Sequence, residues 1–158
     1  MKQITRDALS DLAAKAQQSP RLRANLNLHE ELSDPIQRLA IAMEPGTYIR
    51  AQFHAHTWEL LFALSGRFVV LIFDDAGVVI RRTVLGEEST VVEIPADCWH
   101  AVLSLDAGGV IFEVKHGPYL PIPEGNYADW TVPENALGTA ELMAWYSVAQ
   151  VGDCYRQA

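Results

Sequence analysis

The sequence predicts a mainly β fold, an antiparallel barrel or sandwich with helices packed outside it. Three observations carry that reading. Between residues 47 and 114, short β-branched and aromatic runs alternate with turn signals at regular, close spacing. Apolar residues recur at helical spacing at the two ends of the chain, at 5–16 and 134–146. Finally, 158 residues with 49% hydrophobic and 20% charged composition suit one domain around one core.

In chain order, Ala8, Leu9, Leu12, Ala13 and Ala16 mark a first helix that ends before Ser19-Pro20. Residues 21–32 read as an extended segment in which Arg23, Asn25, Asn27 and His29 alternate with apolar or small residues. Period two places these four on one side, as a solvated edge or the polar wall of a pocket. Ser33-Asp34-Pro35 then predicts a second helix, with Asp34 as cap, Pro35 at its first position and Gln37 completing a capping box. Ile36, Leu39, Ala40 and Met43 would be its buried stripe, and Pro45-Gly46 its end. Strand runs follow at 67–73, 78–84, 91–94 and 110–114, separated by Ser65-Gly66, Asp74 to Gly77, Leu85 to Glu87, Pro95 to Asp97 and Asp106 to Gly109. Residues 117–133, with four prolines, read as a loop pinned by Tyr119, Tyr127 and Trp130. A last helix is expected at 134–146 and a poorly ordered tail after Gln150. The resulting division is 1–45 as an N-terminal segment packing on the barrel, 46–116 as the barrel core, and 117–158 as a C-terminal loop and helix, all one domain.

Charge and composition exclude several classes. A net charge of -8 without a basic cluster argues against a nucleic-acid partner. No 18-residue apolar run suggests a membrane span, and the charged N-terminus does not read as a signal peptide. Cys98 and Cys154 form no CxxC pair, so a reduced, cytoplasmic protein is expected.

The chemistry concentrates in residues 46–66 and 94–100. Gln52, His54 and His56 share one side of a strand, Glu59 follows, and His100 lies just beyond the Pro95 turn. A hairpin with Thr57-Trp58 as a two-residue turn would pair His56 with Glu59, but neither residue suits positive φ. A four-residue turn over 55–58 pairs His54 with Glu59 and leaves His56 at the mouth as a ligand, a gate or an exposed turn residue. Two imidazoles and a carboxylate form a donor set for a divalent ion with open positions; iron, zinc, manganese, nickel and cobalt all fit. Gln52 is a fourth ligand or a hydrogen-bonding pocket residue. Glu113 and Lys115 alternate on a late strand, facing either solvent or the interior; buried near a metal, Glu113 could serve as a general base. Cys98 reads as a buried inert thiol and His116 as a loop histidine.

These spacings resemble the cupin motifs. The first, G-(x)5-H-x-H-(x)3–4-E-(x)6-G, is matched by Gly46, Gln52, His54, Glu59 and Gly66, with glutamine in the first histidine position. The second, P-x-G-x-x-H, is matched by Pro95 and His100, with Asp97 in the glycine position. Over roughly residues 4–130 the chain more closely resembles the WbuC-type cupin-fold metalloproteins, through 19–50, 58–77, 93–100 and 113–119. That resemblance implies a double-stranded β-helix barrel with peripheral helices, usually dimeric. It also implies one divalent transition metal on His54, Glu59, His100 and Gln52, and a setting near surface-polysaccharide metabolism.

Two functions remain open at this level. One is a metal-dependent enzyme, isomerase- or epimerase-like or an Fe(II) dioxygenase, acting on a sugar derivative oriented by Arg23, Asn25, His29 and Lys115. The other is a non-catalytic, metal-assisted carbohydrate-binding module; a purely structural role is the third possibility.

Overall fold

The structure is a computed structural model and describes residues 1–155. Helix α1, Arg6–Gln18, is capped by the Thr5 hydroxyl, which accepts from the Ala8 amide. Eight strands follow: β1 Arg23–Asn27, β2 Ile36–Met43, β3 Glu59–Ser65, β4 Phe68–Phe73, β5 Val79–Leu85, β6 Val91–Ile94, β7 His100–Ser104 and β8 Gly109–His116. A short 3-10 turn at Glu124–Asn126 interrupts the long loop, and α2, Thr139–Val148, closes the chain. All pairings are antiparallel, in a five-stranded sheet ordered β1-β2-β8-β3-β6 and a three-stranded sheet ordered β5-β4-β7.

The predicted second helix is a strand. All eight of its residues pair with β8 and the last five, Leu39 to Met43, also pair with β1, so β2 lies inside the larger sheet. A strand covered on both faces needs no clean alternation, and its alanines, leucine and methionine imitate a helical stripe. The supposed cap serves a loop instead. Asp34 Oδ2 accepts from the Glu30 amide, and buried Gln37 donates to the Leu32 and Asp34 carbonyls. The barrel therefore begins at Arg23 rather than at Gly46. The register expected for the first motif also differs: Glu59 pairs with Lys115 and Ile94, while Gln52 exchanges main-chain bonds with His100. Residues 52–58 thus cross from the smaller sheet to the larger and form no hairpin with β3.

Strand parity sorts the side chains into layers. Ala40, Ala42 and Val110 face outward and pack under Leu12 and Ala16 of α1. Val69, Leu71, Phe73, Ala101 and Leu103 face outward from the other sheet and are covered by Leu142, Met143 and Tyr146 of α2. Met43, Leu61, Phe68, Val70 and Ile111 fill the space between the sheets. The same inward parity continues along β8 to Glu113 and Lys115, and includes Glu59 of β3 and His100 of β7. The interior is apolar at one end and polar at the other.

Two positions fix the turns that deliver the site. Gly66 has φ +72°, and a Cβ there would meet the Gly109 Cα at 3.0 Å. Asp97, in the motif's glycine position, has φ 58°, a conformation aspartate tolerates better than most side chains. Its amide donates to the His54 carbonyl and ties the two motif segments together.

The last helix starts later than the sequence suggests, at Thr139. The predicted disordered tail is correct for none of residues 151–155. The Gly152 amide bonds to the Val79 carbonyl, the Val79 amide to Asp153, and Cys154 bridges Val78. The remainder of that tail lies outside the described residues. Trp130 packs on Phe73, as a loop pin should, whereas the Tyr119 side chain is exposed. No helix among the described residues is long and apolar enough to cross a membrane.

Candidate metal centre

Three elements converge at the polar end of the barrel. His100 and Glu59 are the first residues of β7 and β3, and both point inward. His54 arrives from the crossing segment, two residues after Gln52, whose two main-chain bonds with His100 measure 3.0 and 2.9 Å. Packing of Phe53 edge-on against Trp99, with ring centroids 4.6 Å apart, holds the intervening residue outside. His54, Glu59 and His100 are all buried, and their ligand atoms lie within 4.8 Å of one another.

The Glu59 carboxylate bridges the two imidazoles. His54 Nε2 is 3.0 Å from Oε1, and His100 Nε2 is 3.0 Å from Oε2. His100 Nδ1 lies 2.8 Å from the Cys98 carbonyl, which can only accept, so the ring proton resides on Nδ1. A neutral His100 then turns a bare lone pair from Nε2 onto a carboxylate oxygen. That contact is repulsive unless a cation, either a proton or a metal ion, intervenes. The carbonyl is also the acceptor that orients a ligating histidine. The donor set is two imidazoles and one carboxylate, buried and convergent, and it fits a divalent transition metal.

Charge organises the surroundings. Lys115 Nζ is 2.9 Å from Glu59 Oε1 and 2.9 Å from Glu113 Oε1. Burial alone would raise the Glu59 carboxyl, but bonds from His100 and His54 and the charge of Lys115 hold it well below the ordinary carboxylate range. Glu113 moves the other way: burial, then the negative charge of Glu59, raise it despite Lys115. Burial lowers His100, yet Glu59 reverses the effect and its pKa rises. Burial likewise works against the Lys115 charge, but Glu113 and Glu59 prevail and raise its pKa.

These groups line a cavity of about 640 Å³ that extends from the metal centre to the barrel mouth. Gln52 places its amide Nε2 3.4 Å from His54 Nε2. Turning that amide over would present an oxygen to the same point. Exposed His56 lies on the cavity rim, its ring centroid 6.4 Å from that of His54. Glu113, Lys115, Arg23 and Asn25 all line the cavity. His29 does not: β1 ends at Asn27, and the buried His29 ring bonds through Nδ1 to the Arg38 main chain. Its expected place in the pocket wall is therefore corrected. His116 is the last residue of β8, packed edge-on against Trp58, and Cys98 is partly buried with its thiol pKa raised by burial.

The sequence reading missed Arg21, Arg50, Tyr127 and Glu134, which also line the cavity. Arg50 was within reach, since it shares the parity of Gln52 and His54. Arg21 and Glu134 meet across 113 residues, which no local pattern reveals.

An antiparallel two-sheet barrel with an inward His-Glu-His cluster at motif spacing defines a protein of cupin fold whose site allows metal binding. The chain belongs to the family described as a domain of unknown function, DUF6016, whose model matches residues 4–85. No curated protein matches the chain. Among solved structures, the TT1209 protein from Thermus thermophilus is similar at TM-score 0.55 and 18% identity, covering 73% of this chain and 97% of that one. BH2720 from Bacillus halodurans is similar at TM-score 0.53 and 16% identity, covering 77% and 86%. A cupin superfamily protein from Desulfitobacterium hafniense aligns at TM-score 0.48 and 18% identity, over 60% and 76%.

Proposed function

We propose that this is a metal-binding cupin that holds one divalent ion (iron, zinc, manganese or nickel) on His54, Glu59 and His100, and acts on a small sugar derivative. The observation that carries the metal reading is the His100 ring. With its Nδ1–H committed to the Cys98 carbonyl, its Nε2 faces the Glu59 carboxylate at 3.0 Å, beside His54, across a buried gap that a proton fills in the metal-free protein and that a metal ion would take over. When bound, the metal would supply Lewis-acid polarisation of a substrate carbonyl or hydroxyl oxygen.

The chain's own groups supply the rest. Glu113, buried with a raised pKa, is suited to exchange a proton with a substrate C–H or O–H, the step of an isomerase or epimerase. Lys115, bonded to both carboxylates, holds them in place and offers a positive charge to substrate oxygens. The resemblance to WbuC-type proteins supports a setting in surface-polysaccharide metabolism. Gln52 is the fourth donor in this reading, a weak neutral one. Gln52→His is therefore expected to tighten metal binding by at least about tenfold, measured by competition with a chelator.

One observation favours a second reading, a metal-assisted carbohydrate-binding module without turnover: the candidate base, Glu113, is already held in an ion pair with Lys115. The test is a panel of sugar phosphates and nucleotide sugars in D2O, with protein loaded in turn with Fe, Mn, Ni or Zn. Exchange of a substrate C–H proton for deuterium is the expected result. Binding without exchange would give the second reading, and neither binding nor exchange would contradict both.

A further inference from the structure

Among the described residues, three arginines line the cavity, and two of them are ion-paired. Arg21 makes a two-pronged pair with Glu134, at 2.8 and 2.6 Å. Arg50 bonds Glu124 at 2.7 Å and lies over the Tyr127 ring, 5.0 Å from its centroid. Arg23, on the inward face of β1, has no hydrogen-bond or ion-pair partner among the described residues. It lines the cavity and is partly buried. Burial, then the neighbouring Arg21, lower its pKa, and the more distant charge of Glu134, already paired with Arg21, offsets them only in part.

The main chain aims it there at some cost. Leu22 sits between Arg21 and Arg23 with φ 53°, an unusual conformation for a leucine. It is held by two bonds to its carbonyl, from the Glu44 amide at 3.0 Å and the Thr47 hydroxyl at 2.7 Å. Asn25 follows on the same face of β1 and also lines the cavity.

We propose that Arg23, assisted by Asn25, is the anion anchor of this pocket and takes the carboxylate or phosphate of a sugar acid or sugar phosphate. The proposal names the substrate class for the function proposed above and rests on that reading only for the opposite end of the ligand. The guanidinium presents a planar fork of donors suited to either anion, and asparagine adds a neutral amide donor. Arg23 pairs with Met43 and so stands level with Gly109, whereas Glu59 pairs with Lys115, six residues further along β8, so the anchor lies towards the other end of the larger sheet from the metal centre.

The experiment is calorimetric titration of the full chain at low salt with D-glucose 6-phosphate, D-glucuronate and D-glucose. It uses the native protein, Arg23→Gln, Asn25→Asp and His100→Ala. Asn25→Asp supplies an internal carboxylate beside Arg23 and tests the site even if Arg23→Gln misfolds. At least one anionic sugar is expected to bind the native protein. Arg23→Gln and Asn25→Asp are each expected to weaken it at least tenfold, with metal content unchanged. Glucose should be indifferent to both substitutions, and preference between the two anions identifies phosphate or carboxylate. Retention of Arg23-dependent binding in His100→Ala separates the anchor from the metal: if His100→Ala keeps its metal, the metal reading fails while the anchor stands. Failure of both anionic sugars to bind the native protein, or equal binding to Arg23→Gln, overturns the proposal.

Discussion

Replacing His100 with alanine is expected to abolish metal binding while sparing the fold. The imidazole contributes one of three donors, and even loss of a partner that merely orients a ligand costs about 10- to 100-fold in affinity. Loss of the ligand itself should exceed that, and metal content after gel filtration should fall from about one per chain to under about a tenth. The backbone has little reason to move. His100 is tied to Gln52 and to β4 through main-chain bonds that alanine retains, and the ring itself contacts mainly site residues. Thermal melts make the distinction. In native protein, metal at about 100 times Kd adds about 2.7 kcal/mol, roughly 8 °C for a chain of this size. In His100→Ala that increment should vanish, with the metal-free midpoint close to that of metal-free native protein. A metal-dependent increment that survives in the variant would remove His100 from the donor set.

Lys115→Met is expected to give the largest stability effect at the site, and in one state only. Without metal, Lys115 is the cation shared by Glu59 and Glu113, each 2.9 Å away. Removing one partner of a buried ionic cluster costs about 3–5 kcal/mol. The lysine side chain keeps 18% of its exposure, which moderates the loss to about 2–3 kcal/mol, a fall of roughly 8 °C. The pH dependence has a definite sign. Glu113 has a raised folded pKa, so its contribution is fully present below the unfolded carboxylate value near about 4.3 and is lost as pH rises through the folded pKa. Without Lys115 that pKa rises further, so the destabilisation should be greater at pH 8 than at pH 5. Bound metal supplies the missing positive charge, and the variant should gain more from metal than native protein does. Equal midpoints for the two metal-free proteins at both pH values would show that Lys115 is not the compensating charge.

How much of this was legible in the sequence depends on the range of the interaction. The helix at Arg6–Gln18 and the strands at Val91–Ile94 and Phe68–Phe73 follow local pattern closely, the first two through one covered face and the third, buried on both faces, as a β-branched and aromatic run bounded by turn residues. The segment Ile36–Met43 does not, because its state is decided by two partner strands, one of them about 70 residues away. The donor types and their order were legible through motif spacing, yet not the path of the chain. His54 reaches Glu59 by its side chain across a crossing segment, and the expected hairpin pairing is absent. Period two correctly put Arg23 and Asn25 on one inward face, then failed at His29, where β1 has ended and the ring turns to the Arg38 main chain. The unpaired state of Arg23 was not legible at all. It emerges only when Glu134 and Glu124, more than 70 residues from their partners, claim Arg21 and Arg50.

The central claim is that His54, Glu59 and His100 hold a metal, and elemental analysis of untagged protein purified without chelators tests it most directly. About one transition metal per chain is the expected result, with its identity directing the assays: iron towards oxygen chemistry, zinc or manganese towards proton transfer. No metal in the purified protein, and none retained after reloading with Fe, Mn, Ni or Zn, would contradict it.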